Sequence, residues 1–156
     1  SESDLERATA RLARWNESTS GESVAALKKE LQTVMQNSFV VFRTETHMEE
    51  GTKKLVDLRE RIGQAHLSDK SAVFNTARME ALELDNLLEV AEATAISALT
   101  RTESRGAHAR DDYQVRDDEN WLCHSIYSPI SRQTTKREVN FSPKTVPTFE
   151  PQERVY

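Results

Sequence analysis

The chain has 156 residues, 37% hydrophobic and 30% charged, with a formal net charge of −5, which predicts one domain with a largely solvated or partner-covered surface. The acidic balance excludes generic nucleic-acid binding, which requires a basic stripe, and the single cysteine, Cys123, excludes an internal disulfide framework and favours a reducing compartment. No apolar run approaches the roughly 20 residues of a membrane span and the SESD start does not resemble a signal peptide, so we expect a soluble chain.

The first part of the chain predicts three helices, because apolar residues recur there at intervals of three and four. A short linker helix over residues 4–16 is followed by a helix capped by Ser20 and by a third helix that opens with a capping box between Thr46 and Glu49. Between the last two, residues 39–42 form an apolar run that either continues the helix or turns it. The predicted buried stripes contain Leu5, Ala8, Leu12 and Trp15, then Val24, Leu27, Leu31, Val34 and Met35, then Met48, Gly51, Leu55, Leu58 and Ile62.

The longest predicted element is a continuous helix over residues 70–102, roughly 45 Å long at 1.5 Å per residue. It contains neither proline nor glycine. Its small inward residues allow neighbouring helices to approach closely, so we interpret the stripe as core packing and not as a cofactor site. The inward positions are Phe74, Ala77, Ala81, Leu84, Leu88, Ala91, Ala95 and Ala98.

The helical pattern ends near Gly106, and all four prolines lie beyond it. Two short strands are predicted over residues 126–128 and 137–141, joined through residues 129–136, and residues 142–156 are expected to be extended. The fold class is therefore mainly α, an antiparallel three-helix bundle with a short N-terminal linker helix and a largely irregular tail that carries a small β-hairpin. The expected domain limits are 1–20 for the linker helix, 21–105 for the bundle and 106–156 for the tail.

Several groups that could carry chemistry have simpler interpretations. Cys123 and His124 are adjacent, so on an extended chain they point to opposite faces and do not form a catalytic pair. The acidic run at residues 117–119 lacks the spacing of a calcium loop, and we expect it to pair with Arg110 or Arg116. We expect His47 and His66 to be solvated and without partners. The sequence also lacks phosphate-loop, zinc and nucleophile-elbow motifs, so no catalytic, cofactor-binding or metal-binding residue is predicted.

The segment 101–110 gathers basic groups where the long helix ends. Arg101, Arg105, His108 and Arg110 place donors at a helix C-terminus, where positive charge is favourable. These groups either bind an anion or cap the helix and anchor the tail. Capping is favoured, because a backbone anion site requires a helix N-terminus.

Several motifs match one family in order along the chain: ARLARW at 10–15, LRER at 58–61, LELDNL at 82–87, RTESRGAH at 101–108, RDDENW at 116–121 and RVY at 154–156. Together they resemble the C-terminal region of succinate dehydrogenase and fumarate reductase flavoprotein subunits, a version of which L-aspartate oxidases share. The run DDENWLCHS at 117–125 resembles bacterial succinate dehydrogenases more than fumarate reductases. The resemblance covers nearly the whole chain.

The resemblance implies a role within a larger enzyme that oxidises succinate to fumarate and passes electrons to quinone. Family members are several times longer, and the N-terminal portion that binds FAD and the dicarboxylate is not in this sequence, so we expect an isolated C-terminal domain without an active site of its own. Iron–sulfur clusters would lie in a partner subunit, and membrane-anchor subunits would be indirect partners, at the cytoplasmic side of the bacterial inner membrane.

Four residues are the candidates for docking onto the flavin-binding portion of the same subunit: Glu103, Arg105, His108 and Arg110. The resemblance implies a helical domain packed against the flavin domain, and our hypothesis is that these four residues bind it and do not touch substrate. The alternatives are a stand-alone helical adaptor, or the matching domain of a fumarate reductase or an L-aspartate oxidase. A hydrolase built on Cys123 and His124 is a remote third possibility.

Overall fold

A computed structural model describes residues 1–149 and residue 152, and it is mainly helical. The helices are α1 (Glu2–Glu17), α2 (Val24–Ser38), α3 (Glu45–Gly63), α4 (Thr76–Thr100) and the single-turn α5 (Asp118–Trp121). The strands are β1 (Phe42–Arg43), β2 (Ala109–Arg110), β3 (Cys123–Ser128) and β4 (Gln133–Glu138). This architecture confirms the mainly α fold with a small hairpin. The division into linker helix, bundle and tail stays a prediction.

The bundle consists of α2, α3 and α4, with α3 packed against both of the others. Neighbouring helices run antiparallel. Gly51 near the start of α3 lies against Ser38 at the end of α2, whereas Arg61 near the end of α3 binds Glu22 just before α2. Likewise Thr52 lines a cavity with Ile96, whereas Ile62 lines one with Leu88, which lies closer to the start of α4. The predicted stripes supply most of the core, and each fully buried large side chain contributes about 1.5–3 kcal/mol. The core includes Val24, Leu27, Leu31, Val34, Met48, Leu55, Leu58, Ile62, Ala81, Leu84, Leu88, Ala91, Ala95 and Ala98.

Both predicted N-caps are wrong. Ser23, not Ser20, caps α2 by accepting a hydrogen bond from the backbone N–H of Ala26 at 3.2 Å. Thr44, not Thr46, caps α3. An N-cap must be the extended residue directly before the first helical one, and the backbone meets that condition at Ser23 and Thr44.

Helix α4 begins later than the sequence predicts, and Phe74 does not belong to its buried stripe. Asn75 caps the helix, because its Oδ1 accepts the backbone N–H of Arg78 at 2.7 Å. The helix therefore starts at Thr76 and is about 37 Å long. Phe74 lies in the preceding loop, 98% exposed and at a φ of +54°, where bulky residues are rare.

Helix α1 is attached to the bundle through its C-terminal half alone. Trp15 is fully buried, and its Nε1 donates to the Asp85 carboxylate at 3.0 Å. Arg14 donates to both oxygens of the same carboxylate at 2.7 and 2.8 Å. The predicted burial of Leu5 and Leu12 is wrong, since the first ten residues are all exposed and Leu12 is exposed as well.

The apolar run at residues 39–42 turns the chain instead of continuing α2. Phe39 is buried at the end of the helix, and Phe42 then opens the short strand β1. Strand β1 pairs in parallel with β2, so that Phe42 lies opposite Ala109 and Arg43 opposite Arg110. This pair joins the α2–α3 connection to the segment that follows α4, a contact that the sequence analysis did not predict.

The hairpin forms, but its second strand starts earlier than predicted. Strands β3 and β4 are antiparallel, with Cys123 opposite Glu138 and Ser128 opposite Gln133. The turn is closed by the N–H of Arg132, which donates to the carbonyl of Ser128 at 2.8 Å. A four-residue connection is enough for a tight hairpin, so β4 spans Gln133–Glu138, and the predicted bounds of 137–141 are wrong. Beyond β4, the structure through residue 149 contains no helix or strand.

Two glycines of α3 form a matched test of this packing. A Cβ added at Gly51 would overlap Ser38 Cβ and lie 2.6 Å from Phe39 Cε2, whereas a Cβ added at Gly63 would meet no heavy atom within 4 Å. We expect Gly51→Ala to lower the free energy of unfolding by about 1–3 kcal/mol through overpacking. Gly63→Ala should leave it unchanged or raise it by up to about 1 kcal/mol through helix propensity. Urea unfolding of both variants checks this, and equal effects would contradict the close α2–α3 crossing.

Candidate functional site

Glu103 is the centre of the segment that the sequence singles out. It is fully buried, and its carboxylate accepts hydrogen bonds from Arg101 Nε at 2.7 Å, from Arg105 Nε at 2.8 Å and from the backbone N–H of Asp117 at 2.8 Å. Burial by itself raises the pKa of the carboxyl, but the hydrogen bonds from Arg105, Asp117 and Arg101 outweigh it and hold the Glu103 pKa below its usual range. Glu103 is therefore an ionised internal anchor for two arginines and a loop.

Arg110 is also buried, and it caps the C-terminus of α4. Its Nε and Nη2 donate to the two carboxylate oxygens of Asp112, both at 2.7 Å. Its Nη1 points at the last carbonyls of the helix, 3.3 Å from that of Leu99 and 3.2 Å from that of Arg101. These carbonyls have no partner within a helix, so the guanidinium satisfies them. The Arg110 hydrogen bonds lower the pKa of Asp112 to about 2, and capping is the interpretation that the geometry supports.

His108 lies half-buried beside a third arginine. Arg43 Nη1 is 2.7 Å from His108 Nδ1, and His108 Nε2 is 3.2 Å from the carbonyl of Arg101. Because a guanidinium can only donate, Nδ1 accepts and the proton is on Nε2. Burial, together with the positive charges of Arg43, Arg110 and Arg101, lowers the pKa of His108 and keeps the ring neutral. The sequence analysis did not place Arg43 in this group, and the β1–β2 pairing is what brings it here.

Arg105 lies at the edge of this group. Besides Glu103, it binds the Asp118 carboxylate at 2.5 Å, which Arg116 also binds at 2.8 Å. We call Arg43, Arg101, Glu103, Arg105, His108 and Arg110 the arginine cluster. The structure thus brings all four predicted docking residues together at one end of α4. Two of them, Glu103 and Arg110, are buried, whereas Arg105 and His108 are partly exposed; their docking role stays a prediction.

The arginine cluster also fastens the hairpin to the helix end. Arg101 donates to the carbonyls of Trp121 and Cys123 and to Ser125 Oγ. Trp121 is buried, its Nε1 donates to Thr102 Oγ1 at 3.0 Å, and the Lys136 ammonium lies 3.7 Å from the ring centroid. The segment between α4 and β3 is therefore held by charged and aromatic side chains in place of an apolar core.

The remaining candidates lie on strand β3 and in the acidic run before it. Cys123 is half-buried and His124 is exposed, as expected for neighbours on strand β3. The acidic run pairs with Arg116 as predicted, but Arg110 binds Asp112 instead of that run. Within residues 1–149 and 152, no group of three or more His, Cys, Asp or Glu residues is placed to hold a metal ion.

His66 has a backbone partner, and a second expectation concerns the capacity of the helices to cross a membrane. The prediction that His66 has no partner is wrong, because its Nδ1 lies 3.3 Å from the carbonyl of Ser18. Over the part of the chain that the structure describes, no helix combines the length and the apolar character that crossing a membrane requires.

The fold and the arginine cluster define a helical structural domain whose charged segment fastens a β-hairpin to a helix end. The model of the family described as "Fumarate reductase flavoprotein C-term" matches residues 28–156. The chain therefore belongs to the succinate dehydrogenase and fumarate reductase flavoprotein family, which confirms the resemblance. The motif at 154–156 lies outside the described residues.

Three relatives illustrate the match. The chain is 48% identical over 151 residues to the succinate dehydrogenase flavoprotein subunit of Coxiella burnetii, which covers 97% of this chain and 26% of that protein. It is 35% identical to the fumarate reductase flavoprotein subunit of Haemophilus influenzae, over 94% of this chain and 24% of that protein. The structure matches a chain of E. coli quinol fumarate reductase with a TM-score of 0.79 and 31% identity, over 96% of this chain and 26% of that chain. The chain thus spans about a quarter of the length of each of these relatives.

Proposed function

We propose that this chain is the C-terminal domain of the flavoprotein subunit of a succinate dehydrogenase, an oxidoreductase that converts succinate to fumarate and passes electrons to quinone. The observation that carries the proposal is the 48% identity to the Coxiella burnetii succinate dehydrogenase subunit over 97% of the chain. The lower identity, 35%, to the Haemophilus influenzae fumarate reductase subunit supports a dehydrogenase over a reductase.

In this proposal the domain supports the enzyme and carries out no reaction itself. FAD belongs to the flavin-binding portion of the same subunit, and the iron–sulfur clusters belong to the iron–sulfur subunit. The burial of Glu103 and Arg110 supports this role, because their hydrogen bonds are made within the domain. The membrane-anchor subunits are indirect partners, and the assembled complex lies peripherally on the cytoplasmic side of the bacterial inner membrane.

Reconstitution of the chain with the missing flavoprotein portion tests the proposal. Flavin fluorescence reports FAD binding, and a dye-coupled assay reports succinate oxidation. We expect the chain alone to give neither signal, and the combination to retain FAD and oxidise succinate faster than it reduces fumarate. FAD bound by the isolated chain, or a reconstituted protein without succinate oxidation, would contradict the proposal.

The docking role predicts a defect in flavin retention. In the full-length subunit, Arg105→Ala or His108→Ala should reduce the flavin-to-protein ratio several-fold, because both side chains reach the surface of the arginine cluster. Arg137→Ala is the matched control, since Arg137 is an exposed arginine on β4 that belongs to none of the hydrogen bonds of the cluster. The ratio is measured from absorbance after gel filtration. A variant that assembles with full flavin and yet loses turnover would show that these residues act on the reaction instead.

A further inference from the structure

The loop before α4 presents the most exposed aromatic side chain of the described residues. Phe74 is 98% exposed, Val73 beside it is 68% exposed, and Met79, one turn into α4, is 66% exposed. Single exposed apolar residues are common on protein surfaces and need no explanation. Phe74 differs because its φ of +54° is rare for a bulky aromatic residue.

The loop is held in place by hydrogen bonds on either side of Phe74. Asn75 Nδ2 donates to the carbonyls of Asp69 at 2.8 Å and Ser71 at 3.0 Å. Lys70 Nζ donates to the carbonyl of Trp15 at 2.7 Å, which ties the loop to α1. These hydrogen bonds hold the backbone of Phe74 at its unfavourable positive φ. Backbone conformations that the surrounding structure holds in this way are typical of residues at binding sites. A loop backbone that is already held in place also loses little conformational freedom on binding.

The chemistry of the loop indicates what covers it. Between residues 71 and 77 there is no charged side chain, and the flanking Lys70 is directed towards α1. A loop without charged side chains that carries one aromatic ring beside a valine fits an apolar pocket on a protein, because aromatic anchors in such pockets dominate interface energies. It does not fit a nucleic acid or an acidic ligand, which require exposed cations.

Two observations indicate which partner covers Phe74: the short length of this chain relative to its relatives, and the connection between the loop and α1. The chain spans 26% of the Coxiella burnetii relative, so most of such a subunit lies outside it, at the high local concentration that a covalent connection gives. Helix α1, to which Lys70 ties the loop, also leaves Leu5 and Leu12 exposed. Exposed apolar side chains therefore occur on both of these connected elements.

We propose that Phe74, with Val73 and Met79, is an anchor that inserts into an apolar pocket on the part of the flavoprotein outside this chain. The inference rests on the proposed function and gives the domain a second contact, distinct from the arginine cluster at the opposite end of α4.

Hydroxyl-radical footprinting tests the proposal, because Phe74 and Met79 are both readily oxidised side chains. The full-length flavoprotein and the 156-residue chain are labelled in parallel and compared by mass spectrometry. We expect the oxidation rates of both residues to fall at least about tenfold in the full-length protein. Equal rates in the two proteins would overturn the proposal, and protection that appears only after the iron–sulfur subunit is added would assign the anchor to that partner instead.

A pair of variants gives a second measurement. Phe74→Ser should weaken the binding of this chain to the separately produced flavin-binding portion at least about tenfold, whereas Ile130→Ser, at a 91% exposed position in the hairpin turn, should not. Neither variant should unfold the chain, since both side chains are exposed. Equal affinities would overturn the anchor, and self-association of the chain that Phe74→Ser abolishes would assign the surface to a second copy. The two proposals fail separately. A full-length protein without flavin would contradict the proposed function, whereas the oxidation rate of Phe74 in that protein still decides whether Phe74 is an anchor.

Discussion

Replacing Arg110 by methionine is expected to lower the free energy of unfolding by about 3 kcal/mol, because it removes one partner of a buried ion pair. The methionine fills a similar volume, but at the end of α4 it leaves the carbonyl of Leu99 without its side-chain donor and the carbonyl of Arg101 with His108 Nε2 alone. It also leaves Asp112, which is three-quarters buried, without its guanidinium. Urea unfolding followed by circular dichroism measures the loss.

Arg116→Met is the matched control for this prediction. Arg116 also binds an aspartate, Asp118, but both side chains are about a third exposed, and surface ion pairs contribute between about 0 and 1 kcal/mol. The expected loss is therefore below about 1 kcal/mol. Similar losses in the two variants would show that Arg110 acts as an ordinary surface charge and not as a cap of α4.

Glu103→Gln is expected to cost about 3 kcal/mol at neutral pH, since it removes the charge that two arginines share in a buried site. The loss of stability caused by Glu103→Gln should become smaller as the pH falls. The folded-state pKa of Glu103 is depressed, so its contribution is present above the unfolded value near 4.5 and is lost as the pH falls through the folded pKa. The wild-type and Glu103→Gln stabilities should therefore converge below about pH 4.5.

A second carboxyl separates this effect from general acid unfolding. The pKa of Asp112 is lowered from 3.8 to about 2. Protonation of Asp112 should therefore destabilise both wild type and Glu103→Gln as the pH falls from 3.8 to about 2, because the stability that the ionised carboxylate contributes is lost over that range. Asp118→Asn is the control, since Asp118 binds Arg105 from a more exposed position. Thermal unfolding between pH 2 and 7 measures all three proteins. A constant difference between wild type and Glu103→Gln over that range would contradict the assignment.

The bundle was predictable from the sequence because its signal is local. The spacing of Leu27, Leu58 and Leu84 within their stripes identifies a buried helix face wherever the chain leads, and all three are fully buried. The ends of the helices were less predictable, since Ser20 and Ser23 are equally good cap residues and the backbone between them decides. Phe74 fits the apolar period of α4, but the cap at Asn75 excludes it from the helix.

The residues of the candidate site were predictable, and their environments were not. Glu103 lies within the family motif at 101–108 and Arg110 follows it closely, yet nothing in a polar segment indicates that these charged side chains are buried. Their burial depends on Asp112 and Asp117, which return to them after a turn of the chain. Arg43 comes from a distant part of the sequence through a two-residue strand pair, which is too short to leave a pattern.

That strand pair also bears on the order in which the domain folds. Arg43 and His108, which it brings together, are 65 residues apart in sequence, so the chain must close a long loop before they meet. Contacts of such separation form slowly unless the intervening segment is already compact. We therefore expect α2, α3 and α4 to assemble first and the arginine cluster to complete last. The surface formed by Arg105 and His108 would then exist only on a chain that has finished folding, so a partner that recognises it would select mature domains over partly folded ones.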